Sequence, residues 1–339
     1  MKVVTFGEIM LRLAPCGNLR FLQENYFQAT FGGGEANVAV SLGNYGVEAE
    51  FVTKLPDNDI ARACIKQLKS FDVVVDNVVY GGDRMGVYYV EKGASMRPSK
   101  VIYDRAYSSI SMAKKDEFDW EKILENADWF HFTGITPALG DELTETLKQA
   151  LTVAKKKGIT VSCDVNYRKK LWSRLKAKSV MSLLMKYVDV CIANEEDAYD
   201  VFGIKATDTD VESGRLNREG YVEVAEKLTK RFGFKKVAIT LRESISANDN
   251  NWGAMLYSDG KAYFSKTYPI RIVDRVGGGD SFGAGLIYGL NYEEDLPSAL
   301  EFAVGASALK HTIEGDFNRV SVEEVKSLIK NGGSGRVQR

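Results

Sequence analysis

Two hydrophobic rhythms divide this 339-residue chain. From Asp116 onward, short unbroken apolar runs alternate with longer stretches of helical period. The runs predict strands over 128–133, 159–165, 188–193 and 236–241, and the periodic stretches predict helices over 141–157, 174–187, 195–202 and 219–233. A strand that is apolar throughout must be covered on both faces, so this part reads as a parallel sheet between helical layers. A hairpin about Asp259-Gly260 joins 253–258 to 261–268, and helices over 280–290, 297–311 and 321–330 follow. The N-terminal part differs. Residues 2–7 and 47–54 predict further buried strands, and Pro56-Asp57-Asn58-Asp59 starts a helix that runs to Ser70. Residues 8–31 and 72–110 instead alternate Val, Tyr and Phe with polar residues, and no amphipathic helix interrupts the second stretch. Such alternation predicts strands with one wet face, here a small antiparallel β element projecting from the α/β body. Residues 331–339, rich in Gly and Arg, predict a disordered tail.

Composition narrows the function classes. Lys and Arg number 45 against 46 Asp and Glu, so no basic surplus is present to bind a nucleic-acid backbone. The four cysteines are far apart and form no C-x-x-C pair, which predicts buried thiols in a reducing compartment. No signal-peptide core or membrane-length apolar run is present, and a soluble cytoplasmic protein is expected. Only two histidines occur, which argues against a histidine-based catalytic or metal centre; His131, inside Trp129-Phe130-His131-Phe132, predicts a hydrogen-bonded structural residue.

The candidate chemistry lies at Gly277-Gly278-Gly279-Asp280, a glycine loop running into an apolar helix. The first N–H groups of a helix lack intrahelical partners and carry partial positive charge, so such a loop makes an anion site. A carboxylate beside a phosphate repels it unless it has a task, and the useful task is to accept a proton from an attacking hydroxyl. Alone, Asp280 reads equally well as an N-cap. The glycines within the helix, Gly283, Gly285 and Gly289, each cost about 1 kcal/mol relative to Ala, which implies close approach of another backbone or a ligand. Neither G-x-x-x-x-G-K-[ST] nor G-x-G-x-x-G occurs in the chain. In open parallel sheets ligands bind beyond the carboxyl ends of the strands. There stand Thr133-Gly134-Ile135-Thr136, Asp164-Val165-Asn166-Tyr167-Arg168, Asn194-Glu195-Glu196-Asp197 and Thr240-Leu241-Arg242-Glu243, a set suited to phosphoryl transfer if it converges on Asp280.

These motifs resemble the ribokinase-like (PfkB) carbohydrate kinases. Gly277 to Asp280 resembles the family's G-x-G-D signature, Gly33, Gly34 and Asn37 its N-terminal sugar-binding glycine motif, and Asn194 to Asp197 its N-x-x-E motif, with Asp197 where Glu is usual. The resemblance spans essentially the whole chain. It implies one three-layer α/β kinase domain over 1–330 with a mostly parallel sheet, and a small antiparallel β lid from about 8–34 and 73–110. Further stretches, Arg97 to Arg105, Asp164 to Arg168, Thr240 to Ser244 and Gly315 to Asn318, are similar to family members that phosphorylate 2-keto-3-deoxy sugar acids at the 6-hydroxyl, with ATP as donor and Mg²⁺.

The resemblance implies roles position by position. Asp280 is the general base, and Gly277, Gly278 and Gly279 stabilise the transferred phosphoryl. Gly33, Gly34, Asn37, Tyr89, Tyr103, Arg105, Asp164, Asn166, Arg168 and Asp316 hold the sugar acid. Asn194, Thr240, Arg242, Ser244 and Ser246 meet ATP together with Gly277 and Gly279. Asn194, Glu195 and Asp197 organise the metal, and Asp274 falls where some members bind a monovalent cation. Plainer readings stand beside these: packing for the tyrosines, a solvated run for Arg168-Lys169-Lys170, a lid pair of Arg105 with Asp104 or Asp83, and helix-start acids for Glu195 and Glu196. The partners implied are a small sugar acid, ATP and a second copy through the lid, with no nucleic acid and no membrane. A neutral-sugar kinase, a 5-dehydro-2-deoxygluconate kinase, or a sugar-binding regulator are the alternatives; a base at Asp280 argues against the last.

Overall fold

A computed structural model describes residues 1–206 and 218–333. In chain order the strands are β1 (Lys2–Phe6), β2 (Met10–Ala14), β3 (Gln28–Gly32), β4 (Glu48–Val52), β5 (Lys54–Leu55), β6 (Val79–Tyr80), β7 (Val87–Glu91), β8 (Lys100–Asp104), β9 (Trp129–Thr133), β10 (Thr160–Asp164), β11 (Val190–Ala193), β12 (Lys236–Ser244), β13 (Asp249–Ser258), β14 (Lys261–Phe264) and β15 (Tyr268–Arg271). The helices are α1 (Gly34–Asn44), α2 (Asp59–Lys69), α3 (Trp120–Ile123), α4 (Ile135–Ala138), α5 (Asp141–Lys156), α6 (Arg174–Leu184), α7 (Glu195–Phe202), α8 (Arg218–Phe232), α9 (Gly278–Tyr292), α10 (Leu296–Lys310) and α11 (Val322–Asn331).

Among the described residues the central sheet runs β14-β13-β12-β11-β10-β9-β1-β4, with β15 also on β13. Pairings from β4 to β12 are parallel; those of β13 are antiparallel. Because side chains alternate across a strand, neighbours Val3 and Val4 enter opposite cores. Val3 packs in the cluster holding Phe51, Phe282 and Phe302 from the side of α1, α9 and α10, and Val4 in that holding Phe130, Leu147 and Leu228 from the side of α5 and α8. This is the three-layer arrangement expected. The close approach inferred from the helix glycines is with α10: a Cβ on Gly285 would lie 2.8 Å from Ala303 Cα, and one on Gly289 would lie 2.7 Å from Ala299 Cα.

The β element forms a second sheet, β3-β2-β7-β8. Its outer pairings are antiparallel, and the middle pairing, β2 with β7, is parallel. Here the chain leaves the sheet after β3 to build α1, β4 and α2, and returns as β7, which runs in the direction of β2 and opposite to β3. His131 is structural: it is fully buried, its Nδ1 lies 2.8 Å from Ser162 Oγ, and burial pushes its pKa down to about 3. All four cysteines are free; Cys64, Cys163 and Cys191 are buried, Cys16 only half-buried. No described helix is long and apolar enough to cross a membrane. At the C-terminus α11 extends through Asn331 and ends on Gly332, whose left-handed φ of 66° caps it; residues 334–339 of the predicted tail lie outside the described residues.

Candidate active site

Beyond the carboxyl ends of the parallel strands lies a cavity of about 1280 Å³. Single small-ligand pockets are usually about 300–1,000 Å³, so this volume suits two ligands. β10, β11 and β12 deliver Asp164, Asn194 and Thr240 to its wall, as the strand-end rule predicts. Opposite them stands the start of α9. Gly277 has φ 84°, a left-handed conformation, and a Cβ there would strike Asp316 O at 2.1 Å. At Gly279 nothing lies within 4 Å of where a Cβ would be, so its backbone faces open cavity. Gly278 departs from its expected role: its N–H donates to Arg275 O at 3.3 Å and the His311 ring packs against it. The loop's anion face therefore consists of Gly277, Gly279 and the first turn at Asp280.

Asp280 is half-buried in the cavity wall, and its Oδ2 accepts a hydrogen bond from Asn37 Nδ2 at 2.6 Å. Burial raises its pKa to about 6; Asn37 and Arg168 favour the carboxylate, while Asp316 and Glu35 oppose it. At neutral pH the group is mostly ionised, with a pKa near the working range of a general base. Asn37 is itself held, because Gly33 N–H donates to its Oδ1 at 3.3 Å. Its neighbour Glu35, assigned no role from sequence, is fully enclosed and fastens α1 to the end of β9. Glu35 Oε1 accepts from Thr133 N–H and Thr133 Oγ1, both at 2.9 Å, and from Thr136 Oγ1 at 2.6 Å. Gly33 lies against the Glu8 backbone, and Gly34 against Thr133 and Asp280.

The β element covers one end of the cavity with Tyr88, Val101, Tyr103 and Arg105. Tyr88 and Tyr103 are cross-strand partners with ring centroids 6.1 Å apart. Tyr89, expected to hold the sugar, pairs with Ile102 instead and turns to the other face of the sheet, edge-on to Phe27 at 6.1 Å. One residue of register separates the two tyrosines, and strand alternation assigns the cavity to Tyr88. Arg105 lies 5.4 Å from the Tyr103 ring centroid and pairs with buried Glu8, which also accepts from Ser108 Oγ at 2.5 Å. The expected pair with Asp104 is not made; Asp104 bonds Arg84 at 2.9 Å. Arg105 Nε is buried and unpartnered. Arg168 is exposed at the cavity mouth, and its loop touches the lid through Lys170 Nζ, which donates to Val101 O at 3.2 Å. Asn166, in a left-handed turn with φ 41°, donates to Asp164 Oδ2 at 3.4 Å.

Two further expectations need correction. Asp316 reaches the wall, but its carboxylate is engaged by Arg12 Nη1 at 2.7 Å and by Tyr88 OH. Asp274 is 2% exposed and binds Arg12 Nη2 at 2.6 Å, Val276 N–H at 3.1 Å and Gly315 N–H at 3.2 Å. Both carboxylates brace the glycine loop from behind. A buried arginine between two carboxylates satisfies what burial would otherwise penalise.

At the other end, Thr240, Arg242 and Ser244 line the cavity with Arg275. Arg275 is half-buried with an unpartnered Nε, and burial and then the nearby Arg242 charge lower its pKa. Two guanidinium groups repelling each other in a cavity call for an anion such as a triphosphate. Ser246 does not join them: its Oγ donates to Asp249 Oδ2 at 2.8 Å and accepts from Asn248 and Asp249 N–H, closing the turn before β13.

Asn194 N-caps α7, accepting from Asp197 N–H at 2.7 Å, and Asp197 accepts from Tyr167 N–H at 3.0 Å. Burial raises Asp197 to about 6; it also raises Asp164 well above the usual range, helped by the charges of Asp197 and Asp280. Buried carboxylates gathered at a cavity wall, one of them raised by its neighbours' charges, suit a divalent cation. Among the described residues no group of three or more His, Cys, Asp or Glu could hold a metal alone. Asp164 and Asp197 would hold a Mg²⁺ that arrives with phosphate, and the ion would supply charge against the phosphates. The side chain of Glu195 lies outside the described residues.

A carboxylate at a glycine-loop helix start, between an arginine-lined end and a lidded end of one cavity, is an arrangement suited to a phosphotransferase. The family model described as pfkB family carbohydrate kinase matches residues 1–320, and the chain belongs to this family of ATP-dependent sugar kinases. The crystal structure of 2-dehydro-3-deoxygluconokinase from Thermotoga maritima superposes with a TM-score of 0.94 at 53% identity, covering 98% of each chain. The 2-dehydro-3-deoxygalactonokinase of Haloferax volcanii is 33% identical over 98% of both chains. A putative ribokinase II from E. coli, solved in complex with ATP and Mg²⁺, shares the fold with a TM-score of 0.80 at 20% identity, over 97% of this chain and 99% of that one.

Proposed function

We propose that this kinase transfers the γ-phosphoryl group of ATP to the 6-hydroxyl of a 2-dehydro-3-deoxy sugar acid, the gluconate or its C4 epimer the galactonate. The observation that carries the acid specificity is the arrival of two guanidinium groups, Arg105 and Arg168, at the lidded end of the cavity. A neutral sugar needs no such pair; a carboxylate does, and guanidinium offers it planar, charge-assisted hydrogen bonds. The similarity to the Thermotoga and Haloferax proteins supports the same reading.

In the reaction the 6-oxygen forms a bond to the γ-phosphorus as the bond to the β,γ-bridging oxygen breaks, and ADP leaves with that electron pair. Asp280 takes the hydroxyl proton, Asn37 orients its carboxylate, and the first-turn N–H groups of α9 face the charge on the transferred group. Arg242 and Arg275 bind the nucleotide phosphates. Mg²⁺ brought with ATP would be held through Asp164 and Asp197 and would supply neutralising charge. Tyr88, Tyr103 and the lid exclude water from the acceptor. This reading includes no monovalent cation.

The test is ADP release with both keto-deoxy acids, 5-dehydro-2-deoxygluconate, fructose and ribose, using wild type and Arg168→Ala. A hydrogen bond to a charged group is worth about 1.5–3 kcal/mol, so the variant should lose roughly 10- to 150-fold in kcat/KM for the acids. It should lose little for fructose, already a poor substrate. If wild type phosphorylates fructose as efficiently as the acids, a neutral-sugar kinase replaces this reading. We further infer a cytoplasmic enzyme that self-associates through the outer lid face, where Tyr26 is 61% and Ile102 44% exposed. A monomer by light scattering at assay concentration would remove that inference.

A further inference from the structure

Behind the glycine loop, Lys310 at the end of α10 is completely enclosed, with 0% exposure. Lysine is almost never fully buried unless paired. Yet Lys310 forms no salt bridge among the described residues. Its ammonium donates instead to three backbone carbonyls: Gly315 O at 2.7 Å, Ile313 O at 3.2 Å and Asp274 O at 3.4 Å. An ammonium has three donors, and all three are used.

These carbonyls come from the two segments that shape the anion loop. Asp274 precedes Gly277, and Ile313 and Gly315 belong to the turn after α10 that leads to Asp316. The Lys310 stem touches the loop: a Cβ on Gly277 would lie 3.3 Å from Lys310 Cε. Alongside, Arg12 clasps the Asp274 and Asp316 carboxylates. Backbone carbonyls next to a carboxylate are the hard oxygen donors that an alkali-metal ion takes. Here each already has a covalently attached cation or an N–H group on it. The donor set at Asp274 therefore does not fit the monovalent ion that the resemblance implied.

We propose that Lys310 is a built-in cation: its ammonium ties together the two segments behind the anion loop, and phosphoryl transfer by this chain needs no K⁺ or Na⁺. Lys310 touches neither substrate and is a positioning residue. It sets the path of the backbone into Gly277 and keeps a fixed positive charge behind the phosphate site. The rate readout rests on the kinase reading; the melting readout below needs no substrate, so the two ideas fail separately.

The experiment compares wild type, Lys310→Ala and Lys310→Met with tetramethylammonium as the sole monovalent cation, then with K⁺ or Na⁺ at matched ionic strength. Wild-type ADP release should stay within about twofold across these buffers, and its melting temperature should not respond to the ion. Lys310→Ala empties the carbonyl cage. It should lose rate and melting temperature in tetramethylammonium, and K⁺ should restore part of both. Lys310→Met fills the same space without charge and should not respond to K⁺. A merely structural lysine would not give this ion-specific difference between Ala and Met. Wild-type stimulation by K⁺ or Na⁺ beyond about twofold overturns the proposal. So does a folded Lys310→Ala protein that K⁺ leaves unchanged in both rate and melting temperature. If Lys310→Ala does not fold in either buffer, the wild-type comparison alone decides.

Discussion

Asn37→Ala is the perturbation that best separates a tuned base from a first-turn carboxylate that merely complements the helix dipole, since the N-cap of α9 is Gly277 and not Asp280. Asn37 Nδ2 donates to Asp280 Oδ2 at 2.6 Å, a short bond to a group whose pKa burial has already raised to about 6. The bond stabilises the ionised form, so removing it must raise the pKa further. A hydrogen bond to a charged group is worth about 1.5–3 kcal/mol, and about 1.4 kcal/mol corresponds to one pKa unit; with water recovering part of the loss, the expected rise is about one to two units. Only the ionised form accepts a proton. The acid limb of kcat/KM should therefore move from about 6 in wild type to about 7–8 in the variant, lowering the rate at pH 7 by about two- to tenfold and sparing it above pH 9. The assay is ADP release across pH 5 to about 9.5 with subsaturating sugar acid, which reports the free enzyme. A loss of equal size at every pH, with the limb still near 6, would refute the tuning and leave Asn37 as a packing residue of α1.

Asp280→Asn keeps the shape but removes the proton acceptor, and should lower kcat by about 10²- to 10⁴-fold while calorimetry still detects ATP and sugar-acid binding; a near-normal kcat would withdraw the base. Residues 86–105 should exchange amide hydrogens more slowly when the sugar acid saturates the site, because the lid closes over it. Unchanged exchange at saturation would count against closure.

Much of this was legible in the amino-acid order. Continuous apolar runs marked β9, β10, β11 and β12, and the rule that ligands bind beyond parallel strand ends carried Asp164, Asn194 and Thr240 to one cavity. The lid defeated part of the reading. Period-two alternation says that Tyr88 and Tyr89 face opposite ways, but not which way is inward; the pairing of Tyr88 with Tyr103 decides that. The brace behind the loop was illegible for another reason. Arg12 meets Asp274 and Asp316 across 262 and 304 residues of sequence, and no local spacing records a contact of that range. One signal was available. In β2, Arg12 shares the buried face with Met10 and Ala14, and an arginine on a strand's inward face requires an acidic partner. Lys310, inside an apolar helix, posed the same question. Ser246 was placed by proximity to Arg242, and its turn used the hydroxyl up.

The cavity gathers two clusters of like charge. Arg242 and Arg275 repel at one place; at the other, burial raises Asp164, Asp197 and Asp280, and the charges of Asp197 and Asp280 raise Asp164 further. They belong to different walls and do not form a salt bridge with each other among the described residues. A ligand that presents negative phosphate to the first and a positive ion to the second relieves both, and Mg·ATP is such a ligand. ATP without metal gains only the first contact and brings its phosphates toward carboxylates. Calorimetry should therefore show ATP with chelator binding at least about tenfold more weakly than Mg·ATP, a difference of about 1.4 kcal/mol or more. Asp197→Asn should shrink that difference from both sides, because the amide can still accept from Tyr167 N–H yet neither attracts the metal nor repels phosphate. A chelator that leaves wild-type affinity unchanged would show that the acidic wall does not face the phosphates. A variant that weakens Mg·ATP and metal-free ATP equally would make Asp197 a folding residue of the loop at Tyr167 and nothing more.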